Sequence, residues 1–552
     1  MYQNEEWGLY LVMGKKKVRM FLVVMLVFAM LFSACGTAAT TAETSIINLV
    51  MFSSPDGFVS YFGAGGLYTN MAANGLIFES LTKLNDKWEI CPALADSWTI
   101  SDDSLVYTFN LNKDAKWHDG EPFTAKDVAF TLKCLMDPEW SGAASPYVIG
   151  VKGGVAYKNG DADDVEGIKI IDDHTIELTM EKPYAPFLEG LAANIPILPE
   201  HLLGDTAVAD LPQSPFLHSP IGTGPAKFNQ YVTDQYVEYD MNKEYYRGAP
   251  KFDKLILKIM TSDLALTAFM KGELDATTNS GLGTMPATDY ETLLGVEGIK
   301  VESYATNTVQ FITLNYAKSE ISDVRFRQAV VHAIDKESIV EQLLGGIGTP
   351  VSSSIPPFSP YYNPDVPQRE YSPEKAKELL AEMDWDSDTT LILSVPKGQV
   401  MRERMAPIIQ QYLAAVGIKV ELEFGEFASL VEQIETAEFD MALFGVGAAM
   451  IDPNAAYLNY FHSSQTRSNG GWNMGNYNNP EVDRLLEEGT ATTDMEERKA
   501  IYNRMQEIEY ETPNFLNIYF ENAVGVISDR VSGIVFSATG PIWNIVEWEV
   551  VG

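Results

Sequence analysis

Apolar and polar residues alternate with a period of two along 105–111 (LVYTFNL), 175–180 (TIELTM) and 254–260 (KLILKIM), which predicts half-buried strands. Between 391 and 445 the period changes back and forth. A strand (LILSV) is followed by a helix with Met405, Ile408, Ile409, Tyr412, Leu413 and Val416 on one face, and Gly417 stops it. A second strand (IKVELEF), a second helix and a third strand (MALFG) complete a β-α-β-α-β run. Helical crossovers of this kind join parallel strands, so the order predicts an open parallel α/β sheet. Ligands bind such sheets beyond the carboxyl ends of the strands, which makes the loop from Gly445 onward a candidate site on topology alone.

Helix starts are marked clearly. Thr124 with Asp127 three residues on predicts a cap. Ser372-Pro373-Glu374 sets an N-cap, a first-turn proline and an acid in order before Ala376, Leu379, Leu380 and Met383. Asn479-Pro480 repeats the device ahead of Val482, Leu485 and Leu486, and Asp494 with Glu497 predicts a capping box. Two extended stretches, 304–314 (YATNTVQFITL) and 517–526 (NIYFENAVGV), read as a pair of crossings between lobes, hence a hinge.

The strongest apolar signal is 13 consecutive residues from Met20 to Phe32. It is shorter than the roughly 18 to 20 residues a spanning helix needs. Lys15-Lys16-Lys17-Val18-Arg19 precedes it and Ser33-Ala34-Cys35-Gly36 follows, the order of an export signal. The segment resembles a bacterial lipoprotein signal, which implies cleavage before Cys35 and lipidation of its thiol. Phe32 departs mildly from that pattern, and Met13 is the expected start. Residues 1–34 are thus read as signal and 35–45 as a lipidated tether.

The 518 residues from Cys35 exceed a single core and predict two or three lobes. Loss of four basic and two acidic residues with the signal moves the formal charge from -37 to -39. Such a field repels phosphate backbones and excludes nucleic acid as a partner. Cys91 and Cys134 lack C-x-x-C spacing, and Cys134 is expected as a buried thiol. The six histidines are scattered with no H-x-H or H-E-x-x-H, so no metal site or cofactor is expected. No G-x-S-x-G or S-x-x-K set with partners occurs, and an enzyme is not expected.

Five blocks carry a resemblance. Residues 93–132 (ALADSWTISDDSLVYTFNLNKDAKWHDGEPFTAKDVAFTL) are the most specific, and 220–228 (PIGTGPAKF), 323–350 (DVRFRQAVVHAIDKESIVEQLLGGIGTP), 371–383 (YSPEKAKELLAEM) and 475–489 (GNYNNPEVDRLLEEG) follow in order. From Ile46 to the C-terminus the chain resembles the extracellular solute-binding proteins of family 5, the oligopeptide- and dipeptide-binding proteins that feed ABC transporters. The resemblance implies an α/β, two-lobed, periplasmic-binding-protein-like fold (type II, cluster C-like). It has an extra subdomain in the first lobe, about 80–200, and two hinge crossings. The expected bounds are 46–305 plus 520–552 for lobe I and 306–519 for lobe II. The implied partners are a peptide, an ABC permease with its ATPase, and the membrane through the lipid anchor, with the protein a monomer outside the cytoplasm.

By the same resemblance the strand exit at 444–454 lies along the peptide, so Gly445, Val446 and Gly447 are ligand-binding candidates. The aspartate that the family's peptide binders set against the ligand's ammonium is replaced by Ala449. Asp452-Pro453 reads better as an N-cap and first-turn proline than as its substitute. Lys397 lies near the family's carboxylate-binding arginine, and Tyr61, Tyr68, Tyr304 and Trp472 are candidate cleft walls. His118-Asp119-Gly120 and Gly222-Thr223-Gly224-Pro225 read as turns, and Arg325 and Arg327 as helix-tying charges. An oligosaccharide, a modified peptide, a metal chelate, or a sensory role for the same scaffold are the rival readings that Ala449 leaves open.

Overall fold

The computed structural model describes residues 44–59, 72–140, 150–279, 282–447, 452–538 and 540–551. The expectations placed on Cys35, Tyr61, Tyr68, Ala449, the 1–34 signal and the 35–45 tether fall outside them, apart from the last tether residues. Among the described residues no helix is long and apolar enough to cross a membrane.

The alternating segments form strands as their pattern requires. Lys254–Ile259 pairs in parallel with Ile46–Met51 and antiparallel with Tyr236–Met241, which in turn pairs with Ala226–Val232. Their inward residues, among them Ile47, Leu49, Tyr239, Leu255 and Leu257, belong to one large buried cluster. A second four-stranded sheet, holding Ala95–Ile100, Val106–Leu111, Ile168–Asp172 and Thr175–Thr179, adds its inward face to that cluster. The C-terminal residues close it, with Trp548 fully buried and stacked on Phe252 at 6.4 Å.

The other lobe is built on a six-stranded sheet. Thr390–Pro396 pairs in parallel with Lys419–Gly425 and with Met441–Gly447, as the β-α-β-α-β order predicts. The sheet as a whole is mixed, which corrects the expectation of a parallel one: Met441–Gly447 runs antiparallel to Ile299–Leu314. Strand Leu516–Ser528 then pairs antiparallel along the far side of Ile299–Leu314, and Gly348–Pro350 closes the edge. One face carries Leu393, Leu443 and Ile518 under helix Val400–Ala415, and the other carries Phe311, Phe444 and Phe520 under Phe427–Glu435 and later helices.

Ile299–Leu314 and Leu516–Ser528 are the two expected crossings, longer than anticipated and paired with each other. Their register shifts twice, between Gln310 and Phe311 and, more widely, between Ala305 and Val309 opposite 520–522, where Thr306 Oγ1 donates to the Glu521 carbonyl at 2.7 Å. A break in the ladder at that point leaves a locally unpaired strand between two well-paired halves.

Local signals hold where the geometry is local. Thr124 and Asp127 form a reciprocal capping box, Ser372 caps through the Lys375 N–H, and Asn479 caps through the Glu481 N–H. Asp494 accepts from the Glu497 N–H, with no return bond from Glu497 among the described contacts. Cys134 is buried and Cys91 half-buried, both as free thiols, and burial pushes the Cys134 thiol up to about 12.

Candidate functional site

Strand Met441–Gly447 is paired unequally on its two sides. Toward 299–314 it is bonded to its end, Thr308 opposite Gly447, Val309 opposite Val446 and Gln310 opposite Gly445. Toward 390–396 only Met441 and Ala442 have partners, opposite Leu393 and Ser394. Residues 443–447 therefore present one open edge of backbone donors and acceptors among the described residues. This edge lies at the carboxyl end of the parallel strands, where topology alone placed a site.

The two faces of this strand end differ. On one, Val446 and Val309 line a small, partly open recess whose walls are Tyr457, Tyr460, Phe461 and Phe515, with Asn307 and Ser354 supplying polar groups. Phe461 and Phe515 pack with ring centroids 4.7 Å apart. Burial pushes the Tyr460 hydroxyl up to about 12, so it is a neutral donor at physiological pH. Trp472 stands behind this wall, its ring 6.5 Å from Tyr460 and covered on one side by the Arg467 guanidinium at 4.3 Å.

On the opposite face Gly445 makes room for a polar trio. A Cβ at Gly445 would lie 2.3 Å from both Arg402 Nη2 and Gln310 Nε2, so any larger residue would have to push these side-chain ends aside. Arg402 Nε donates to Gln310 Oε1 at 2.8 Å, and Gln310 Nε2 donates to Glu521 Oε1 at 2.7 Å. Both termini of the buried Gln310 amide are thus used. Desolvation lowers the Arg402 pKa from its usual value and the Glu521 charge offsets part of that. Burial raises the Glu521 carboxyl, which Gln310 and then Arg402 pull back. The Nη atoms of Arg402 have no hydrogen-bond partner among the described residues.

Of the exposed apolar side chains in this lobe, Phe427 packs on the strand itself, its ring 5.8 Å from Phe444. Val400, Phe424 and Phe427 are exposed at 64%, 40% and 47%.

The structure brings together Gly445, Val446 and Gly447 and leaves the other described candidates around them. Lys397 is exposed at the end of its strand, where its backbone N–H donates to the Gly425 carbonyl at 2.8 Å. The cation at the strand end is Arg402, in the first turn of the next helix. Tyr304 sits on the long crossing strand, stacked on Phe536 at 5.2 Å against the core of the first lobe. Asp452 caps helix Pro453–Phe461 through the Asn454 N–H, and its carboxylate is held by buried Arg498 at 2.8 Å, which leaves it structural. His118 is a turn residue as expected: Nε2 donates to the Gly224 carbonyl at 2.9 Å, and Nδ1 accepts from the Gly222 N–H at 3.2 Å. Arg325 ties to Asp323 and the Glu382 carbonyl, and Arg327 is buried over the Tyr316 ring.

Sequence reasoning missed Arg402, Gln310 and Glu521. Arg402 carried a signal, since a cation in a first helical turn opposes the helix dipole; Gln310 and Glu521 sit among other polar residues of their strands and carried none. Among the described residues no group of three or more His, Cys, Asp or Glu side chains is arranged to hold a metal ion.

A two-lobed α/β fold with paired crossing strands and a half-open strand edge defines a capture protein, one that encloses a ligand. Residues 89–468 match the family described as bacterial extracellular solute-binding proteins, family 5 (middle), and the chain belongs to that family. It is 27% identical to the oligopeptide-binding protein AppA of Bacillus subtilis over 97% of this chain and 99% of that one. The solved structure of AppA from Bacillus subtilis in complex with a nonapeptide superposes with a TM-score of 0.72 at 26% identity, covering 92% of this chain and 100% of the other. NikZ from Campylobacter jejuni, solved with Ni(L-His), gives 0.73 at 26% identity over 92% and 99%.

Proposed function

We propose that this chain is the substrate-binding lipoprotein of an ABC importer, which captures peptides between its lobes and hands them to a membrane permease driven by its ATPase. The observation that carries the reading is the open backbone edge at 443–447. An extended peptide adds to such an edge as one more strand, held through main-chain bonds that do not depend on its side chains. Gly445, Val446, Gly447 and Ala449 lie along the ligand, and the small aromatic recess beside Val446 borders it. Arg402 receives an anionic group of the ligand, and Lys397 lies at the rim. Tyr61, Tyr68, Tyr304 and Trp472 belong to the surrounding walls.

Lobe I comprises 46–305 and 520–552 with the subdomain at about 80–200, and lobe II comprises 306–519. The register break between Ala305 and Val309 supports a hinge at that boundary. Cys35 carries the lipid that keeps the monomer at the outer face of the membrane, two acyl chains making a stable anchor where one is marginal. Native mass spectrometry of the purified protein with whatever it retains tests the cargo: peptides sustain the reading, whereas glycans or a metal chelate replace it. Small-angle scattering tests closure, with a smaller radius of gyration expected once the bound species is added back to stripped protein.

A further inference from the structure

Among the described residues, six that are not glycine adopt the left-handed backbone conformation. Asp234, Asp384 and Asn476 are of the short polar kind that tolerates it. Of the other three, Trp88 at φ 62° and Ser104 at φ 59° sit at the tips of two hairpins of the first lobe, which join Thr82–Leu84 to Ile90–Pro92 and Ala95–Ile100 to Val106–Leu111. Each side chain meets the second lobe: the Trp88 ring lies 5.9 Å from that of Phe358, and the Ser104 hydroxyl bonds that of Thr493 at 2.7 Å. A residue with a side chain carries backbone strain at positive φ that glycine would not, but glycine has nothing to reach across with.

Both tips are braced. Asn85 Oδ1 accepts the Lys87 and Glu89 N–H groups at 2.9 Å, and the Trp88 N–H donates to the Asn85 carbonyl at 3.1 Å. In the other turn the Ser104 N–H donates to the Ser101 carbonyl at 2.8 Å, and Asp103 Oδ1 accepts from the Ser101 hydroxyl at 2.6 Å and the Leu105 N–H at 3.2 Å. The receiving side is stiff as well. Phe358 follows Pro356 and Pro357 in a turn closed by the Ser359 N–H on the Pro356 carbonyl at 2.9 Å, four residues after Ser354 of the recess. Neither Trp88 nor Phe358 packs into the buried apolar clusters of the two lobes, so the pair works between the cores and not within them.

We propose that the two hairpin tips form a latch, Trp88 on Phe358 and Ser104 on Thr493, which holds the lobes shut over bound cargo and sets the rate at which it leaves. The inference rests on the capture reading above and adds the regulation of that site. Strain is tolerated at the tips because their side chains act in the closed state, so the latch separates stability from function. Relieving the strain leaves the fold no less stable and releases cargo faster. A residue kept for packing alone would show the opposite.

The test uses the full-length mature protein with pooled tripeptides and nonapeptides as the probe. Release is read by biolayer interferometry and stability by thermal unfolding without ligand. The contact is read by fluorine NMR of fluorotryptophan-labelled protein, in which the Trp88 resonance is the one lost in Trp88→Gly. Trp88→Gly is expected to release the probe roughly five- to tenfold faster and Ser104→Gly about threefold faster, the ranges for an aromatic pair and a neutral hydrogen bond. Their unfolding midpoints are expected to equal or exceed that of the wild type. Ala437→Gly relieves the third left-handed residue, beyond helix Phe427–Glu435 in the second lobe, and leaves release unchanged. Phe358→Leu moves the Trp88 resonance. Unchanged release in both hairpin variants, a lowered midpoint in both, equal acceleration by Ala437→Gly, or a Trp88 resonance indifferent to Phe358→Leu overturns the latch and leaves peptide capture standing. If no probe binds, the peptide reading fails by itself, and the latch stands or falls on the Trp88 resonance.

Discussion

The carboxylate of Glu189 accepts the backbone N–H of Asp452 through both oxygens, at 3.2 and 3.0 Å, across 263 residues of sequence. Glu189 lies on helix Phe187–Asn194 of the first lobe's insertion, and Asp452 is the N-cap of helix Pro453–Phe461 in the second lobe. A helix start offers unpaired N–H groups and a positive dipole end, which an anion completes. Nearby, the Ala185 N–H donates to the Thr490 carbonyl at 2.9 Å, Ser104 and Thr493 share a hydroxyl bond of 2.7 Å, and Trp88 meets Phe358 at 5.9 Å. The insertion and the second lobe are therefore joined directly, through polar contacts and one aromatic pair.

Removing that carboxylate loosens the closed arrangement. For Glu189→Ala the expected loss is about 1 to 2 kcal/mol of closure. Small-angle scattering then gives a larger radius of gyration for the ligand-bound variant than for the ligand-bound wild type, and stopped-flow release of ligand speeds up roughly tenfold. Identical envelopes and identical release rates would show that Glu189 does not hold the lobes together.

Gly445→Ala fills the cradle. The atoms a Cβ would meet are the ends of two long side chains, so the fold can yield at a cost of about 1 kcal/mol. The ligand has no such latitude, and its affinity is expected to fall at least about tenfold. Thermal unfolding and calorimetric titration on the same sample separate the two effects. Unchanged affinity would place the ligand elsewhere.

Arg498→Met tests the support beneath the site. The guanidinium donates to Asp452 at 2.8 Å, to the Tyr361 hydroxyl at 2.6 Å and to the Gly489 carbonyl at 2.9 Å, all buried. Taking away one member leaves an uncompensated carboxylate, a loss of about 3 to 5 kcal/mol in urea unfolding. Pairing it with Asp452→Asn removes the stranded charge, so the double variant should recover part of that loss. If it recovers none, the charge pair is not what Arg498 contributes.

His118 gives a pH dependence with a definite sign. Its Nδ1 accepts a bond and so must be unprotonated, and burial lowers its pKa to about 4. The unfolded chain protonates near 6.5, so between those values the unfolded state holds more protons and stability falls as pH falls. The loss runs from about pH 6.5 to 4 and amounts to roughly 3 kcal/mol. Denaturant titrations of wild type and His118→Gln across this range should diverge, the variant showing the shallower slope. Parallel slopes would remove His118 as the cause.

Much of the architecture is legible because its causes are short-range. Ser372, Asn479 and Thr124 cap helices using atoms two or three residues away, and the alternation at 254–260 states which side is inside. The antiparallel pairing of Met441–Gly447 was hidden because its partner strand ends more than a hundred residues earlier, beyond any window of periodicity. The site was half visible for the same reason. Gly445 to Gly447 follow from strand order, whereas Arg402, Gln310 and Glu521 acquire meaning only where three distant elements converge. Lys397 drew attention because it follows the strand directly, but the turn after Pro396 carries it to the surface and brings Arg402 inward one helical turn later.

The half-open strand at 443–447 has a consequence for the empty protein. Unsatisfied sheet hydrogen bonds invite any passing extended chain, including a neighbour's. A starved population is therefore the stickier one, and cargo acts as a guard against self-association as well as a load to be carried.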